Sequence, residues 1–163
     1  MRDYEICFPD KEEWCVPAAL QTILNRRRIY LSQEEITRSF PEYLEESTFK
    51  GFEFSRELLE RFFSEHRLEL RCLFRNPFKD FDLHQNVDLF LNRLRQSQLH
   101  GDSQDLLVAY DFHVGVFLDY LGESDLVRIT GIGENPSEEV PLPLIVRGMH
   151  PDKNENYGFY IIS

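Results

Sequence analysis

The hydrophobic period of this chain changes roughly two thirds of the way along, and that change limits the fold more than any other feature. Up to residue 99 the apolar side chains recur mainly at three- and four-residue spacing, the signature of one helix face. In segment 15–28, Val16, Ala19, Leu20, Ile23 and Leu24 form a single stripe. Pro17 falls in the first turn, where a missing amide hydrogen costs nothing. Ser32 with Glu35 is a capping-box pair that starts a short second helix. Ser55 caps a third, with Leu58, Leu59, Phe62 and Phe63 on one side. Segment 84–99 predicts another helix, with Val87, Phe90, Leu91 and Leu94 in register. Between these last two, 68–74 alternates as a strand that puts Leu68, Leu70, Cys72 and Phe74 on one face.

From residue 105 onward the pattern is β-rich. The runs 105–112, 113–121 and 125–132 are separated by turn residues such as "GESD". Segment 141–149 reads as a short helix and 156–162 as a closing strand. Helices followed by antiparallel strands predict an α+β fold. No repeat, low-complexity tract or Gly/Ser linker interrupts the chain, so residues 1–163 are expected to form one domain. At 42% hydrophobic, with 14 Phe spread along its length, the sequence carries ample material for one core.

Charge narrows the partners. Acidic residues outnumber basic ones 29 to 18, for a net charge of −11, and Arg26, Arg27 and Arg28 are the one cationic cluster in the sequence. Such a chain lacks the basic footprint of a nucleic-acid binder and is repelled by anionic membranes. It has no run of eighteen apolar residues, so no membrane insertion is expected, and charges throughout the first thirty residues argue against a signal peptide. Cys7, Cys15 and Cys72 form neither a CxxC pair nor an even disulfide framework, which fits reduced thiols in a cytoplasmic protein. No Cys/His set has zinc-like spacing, and neither metal nor other cofactor is expected.

Chemistry concentrates at Cys15, which opens the first helix in "EEWCVPAALQTILNRR". A helix N-terminus offers unpaired backbone N–H groups and the positive end of the macrodipole. Both favour thiolate over thiol, and the same amides stabilise the oxyanion of an attacked carbonyl. The competing assignment is a small buried hydrophobe, the commoner state of a cysteine. A nucleophile needs a base, and the candidates are His66, His84, His100, His113 and His150. His66 ends a helix, His84 and His100 flank a polar one, and His150 lies in a loop before Pro151. His113 stands in the strand-like "YDFHVGVFLDY", two residues before a glycine that leaves room on the same sheet face. It is the best partner for Cys15.

These segments resemble papain-like cysteine peptidases of the double-glycine (bacteriocin-type) leader-peptidase kind and related bacterial domains. "WCVPAALQTILNRR" followed by "LSQEEI" is similar to the opening of that family, where a cysteine starts the first helix. "FHVGVFLDY" is similar to its histidine-bearing strand, and "VPLPLIVRGMHPDKNENYGFYII" to its tail. The resemblance implies a papain-like fold, with N-terminal helices packed on a C-terminal antiparallel sheet. It also implies a peptide or protein substrate, with Cys15 as nucleophile and His113 as general base and acid.

Departures from the pattern bear on activity. Where the family has an oxyanion-hole glutamine six residues before the cysteine, this chain has Pro9, and Val16 replaces a usual glycine. The third member, an Asp or Asn that orients the histidine, is expected near Thr130 and Gly131, where no carboxylate stands. Asp111, Asp119, Asp125 and Asn135 are possible substitutes, and Asp111 is preferred because strand alternation puts it on the face of His113. Trp14 or the amides of "PDKEEW" are possible oxyanion donors. Losing one such donor costs about 10²–10³ in rate. Two readings therefore stand: a cysteine peptidase or related thiol acyl-transfer enzyme, or an impaired papain-like module that binds a peptide or protein.

Overall fold

The computed structural model describes residues 5–11, 14–45, 48–49, 53–75, 83–97, 104–111, 113–122, 124–130, 135–150 and 152–163. Helix α1 (Cys15–Arg26) buries the stripe read from its sequence, with Val16, Ala19, Leu20, Ile23 and Leu24 all in the core. It ends two residues before position 28 because Arg28 turns left-handed (φ 61°). The amide of Ile29 then reaches back to the carbonyl of Leu24, and that of Arg28 to Asn25, closing a Schellman motif. Helix α2 (Gln33–Arg38) starts at Ser32 with both hydrogen bonds of the capping box formed. A 3₁₀ turn (Pro41–Tyr43) and a two-stranded ribbon, β1 (Leu44–Glu45) with β2 (Thr48–Phe49), lead to α3 (Arg56–Glu65). Ser55 caps α3 through the amide of Leu58, and Arg67 (φ 60°) closes the same C-terminal motif.

The remaining elements are β3 (Leu70–Arg75), α4 (Leu83–Gln96), β4 (Asp105–Tyr110), β5 (His113–Leu121), β6 (Leu126–Thr130), β7 (Ser137–Pro141), α5 (Leu142–Gly148) and β8 (Gly158–Ile162). The strands β3 to β8 form one six-stranded antiparallel sheet in the order β3-β8-β4-β5-β6-β7. The fold is α+β. Every residue of β4 and β8 is buried, which requires cover on both faces of the middle strands. On one face Phe90 of α4 stacks on Phe159 with ring centroids 4.0 Å apart, and Phe74 and Phe117 close around that pair. On the other face Tyr160 packs against Phe54 at the entry to α3, and Asp105 takes the arginines of α1.

The strand register departs from the sequence reading in three places. A bulge between Cys72 and Phe74 gives them successive partners, Tyr160 and Phe159, so the two side chains lie on opposite faces and not on one. Strand β4 stops at Tyr110, and Asp111 turns left-handed (φ 41°) as part of the hairpin. The acidic segment Ser137–Pro141 forms edge strand β7 against β6, which the sequence reading left unassigned. Among the described residues no helix is long and apolar enough to cross a membrane.

Candidate active site

Two arginines set the direction of α1. Arg26 Nε lies 2.6 Å from Asp105 Oδ1 and Arg27 Nη2 lies 2.8 Å from Oδ2 of the same carboxylate, which is fully buried. Arg26 and Arg27 also donate to the carbonyls of Gln104 and Ile162. Two arginines of the three-residue cationic cluster are thus spent on the interior, fixing the C-terminal end of α1 to the start of β4. Twelve helical residues span about 18 Å and the strand from Asp105 to Tyr110 spans about 17 Å. The main sheet contact of α1 is with β5. Tyr110 pairs with His113 at the hairpin end of the two central strands β4 and β5.

Cys15 is half-buried against the core, and Trp14 before it contributes no side-chain cap to the helix. Trp14 is itself buried, with Lys11 Nζ 4.4 Å from its ring centroid. Lys11 thus places a cation over the face of the indole. Pro9 is held in an arm whose flanking residues are pinned by one buried amide. Gln33 Nε2 donates to Phe8 O at 2.6 Å, and Asp10 N donates to Gln33 Oε1 at 2.9 Å. Residues 12 and 13 of "PDKEEW" lie outside the described residues.

At His113, Nε2 is 3.3 Å from the carbonyl oxygen of Thr130. A carbonyl oxygen only accepts, so Nε2 carries the hydrogen and the neutral ring keeps its lone pair at Nδ1. The ring meets Tyr110 edge-on at 5.8 Å between centroids. Burial pushes the His113 pKa down, which the Thr130 contact and the charge of Glu138 only partly oppose. Close approach of two backbones creates this contact. A Cβ on Gly115 would stand 2.6 Å from Thr130 O and 3.3 Å from His113 Nε2. Glycine is therefore required here for space.

Asp111 does not share that environment. Its carboxylate is 2.6 Å from Lys153 Nζ, and its amide donates to Gly148 O at the end of α5. The face-sharing expected from alternation fails because alternation stops at Tyr110. Of the other substitutes, Asp119 accepts from the amide of Tyr120, Asp125 from the Tyr120 hydroxyl, and Asn135 is exposed in a bend before β7. Gly131 lies outside the described residues. The group that does meet the histidine is the main chain of Thr130. Side-chain reading missed it because a backbone carbonyl has no sequence signature.

No protein-family model matches the chain, and no curated protein matches it.

By strand alternation His113 and Asp105 belong to opposite faces, since Tyr110 is opposite His113 and five residues from Asp105. Helix α1 covers the face of Asp105. Cys15, at the start of α1, and His113, at the start of β5, therefore belong to opposite faces of the sheet. Among the described residues no hydrogen bond joins Cys15 to His113, whose ring contacts are with Thr130 O and Tyr110. Catalytic hydrogen bonds are commonly long before substrate binds. Among the described residues no group of three His, Cys, Asp or Glu side chains is placed to hold a metal ion.

Proposed function

We propose that the chain is a papain-like cysteine peptidase or related thiol acyl-transfer enzyme acting on a peptide or protein. The observation that carries this reading is the His113–Thr130 contact, because it leaves Nδ1 as a basic lone pair at the hairpin end of β5, the strand that α1 packs against. Burial also lowers the His113 pKa and so favours the neutral ring, the form a general base needs. In the reaction, the Cys15 sulfur bonds to the substrate carbonyl carbon while its proton passes to His113 Nδ1. The tetrahedral oxyanion faces the N-terminus of α1. His113 returns the proton to the leaving amine as the C–N bond breaks, and water then hydrolyses the thioester. Three free cysteines fit a reducing compartment such as the cytoplasm.

A second reading, a module that binds a peptide or protein without cleaving it, is favoured by one observation. Pro9 supplies neither a side-chain nor a backbone donor, and the Gln33 amide beside it is occupied by Phe8 and Asp10.

One experiment separates the two: iodoacetamide alkylation of Cys15 across pH, read by mass spectrometry, in wild type and His113→Ala. Selective labelling near pH 6 that the variant loses supports the enzyme. Labelling only toward pH 8–9, no faster than at Cys7 and Cys72, sinks it and leaves the binding module. Burial pushes both reference thiols up, so they are suitable slow standards.

A further inference from the structure

Strand β3 forms one edge of the sheet, three strands across from β5, at a distance of about 14 Å. Between β3 and the C-terminal turn of α4 lies an open cleft of about 280 Å³, lined by Arg71, Leu73, Arg93, Gln96 and Ser97. Arg93 Nη1 donates to the carbonyl of Leu73 at 3.2 Å, which holds one guanidinium against the strand. Arg71 stands exposed on the strand beside it. Elsewhere Arg38, Arg56, Arg61 and Arg128 each reach a glutamate at 2.5–2.9 Å. Among the described residues neither Arg71 nor Arg93 forms an ion pair. Two guanidinium groups therefore line one cleft in a chain with 29 acidic and 18 basic residues.

The geometry points to an oxyanion-binding site in this cleft, for a phosphate-type dianion. Two guanidinium charges match two negative charges, and their planar forks suit adjacent oxygens of one group. The Gln96 amide and the Ser97 hydroxyl add neutral donors at the rim. The chain's net charge of −11 disfavours anions in general, so a saturable phosphate site on this protein has to be local.

The test follows backbone amide shifts by NMR while the full chain is titrated with inorganic phosphate, O-phosphoserine or acetate at constant ionic strength. Saturable shifts at Arg71, Leu73 and Ser97 are expected with phosphate, and Arg71→Gln should weaken binding at least about tenfold. Arg93→Lys keeps the charge but removes the fork, and should weaken binding as well. Tighter binding of O-phosphoserine than of phosphate would identify an esterified ligand, and equal binding a free anion. Absence of saturation, unchanged binding in folded Arg71→Gln, or equal affinity for acetate would overturn the assignment.

Discussion

Thr130 holds the start of β5 with two oxygens: its carbonyl faces His113 Nε2 at 3.3 Å, and its hydroxyl accepts from the Val116 amide at 2.9 Å. Between them sits Gly115, where the two backbones come too close for any side chain. The hydroxyl takes a role that a ladder carbonyl would otherwise fill, and Thr130 is buried, so nothing else reaches that amide.

Thr130→Val should therefore leave the Val116 amide buried without an acceptor. The expected loss is about 1–3 kcal/mol in denaturant unfolding, and Thr130→Ser should recover most of it. Equal stability of the valine variant would show that the hydroxyl contact is dispensable.

Gly115→Ala forces a Cβ to 2.6 Å from a backbone oxygen, which a rotamer change cannot relieve. Overpacking of this kind costs about 1–3 kcal/mol. The shift should also move the His113 ring, visible as changed imidazole NMR signals. Gly122→Ala is the control, since its Cβ would meet Tyr120 at an ordinary 3.6 Å.

His113 couples folding to pH. Its folded pKa lies below the ordinary value of 6.5 because burial disfavours the imidazolium. Below pH 6.5 the unfolded chain binds a proton that the folded chain resists. The contribution is thus fully present above that pH and falls away as the pH drops toward the folded pKa. Thermal unfolding of wild type and His113→Gln should converge between pH 7 and pH 5, the variant losing less. Parallel curves across that window would contradict the burial of the ring.

Asp105→Asn should be among the most damaging single changes. It leaves Arg26 and Arg27, only 12% and 16% exposed at their side chains, without their shared carboxylate. Breaking one partner of a buried ion pair costs about 3 kcal/mol, or roughly 6–12 °C in Tm for a chain of this size. Substituting Glu34, whose pair with Arg38 is largely exposed, should change little.

The local parts of this structure are legible in the sequence. The stripe of α1, the Ser32–Glu35 box and the Ser55 cap depend on residues within one or two turns of each other, and each forms as read. Edge strand β7 escaped because "SEEVP" is acidic, half-exposed and pairs on one side, so burial leaves little alternation in it. The bulge in β3 escaped because one extra residue reverses the facing of all that follow, and nothing in "LELRCLF" marks where it falls.

For the candidate site the same division holds. The positions of Cys15 at a helix start and His113 at a strand start follow from local pattern, because helix caps and strand periodicity are short-range. What orients the histidine does not. Thr130 is 17 residues away and acts through its main chain, while Asp111, two residues away, is turned aside by one left-handed dihedral toward Lys153. Likewise Arg26 and Arg27 read as a surface charge cluster until Asp105, 78 or more residues later, draws them inward. Amphipathic periods and caps are written into neighbouring residues. Partners brought together by sheet register exist only once the strands have paired, since a one-residue slip would exchange every one of them.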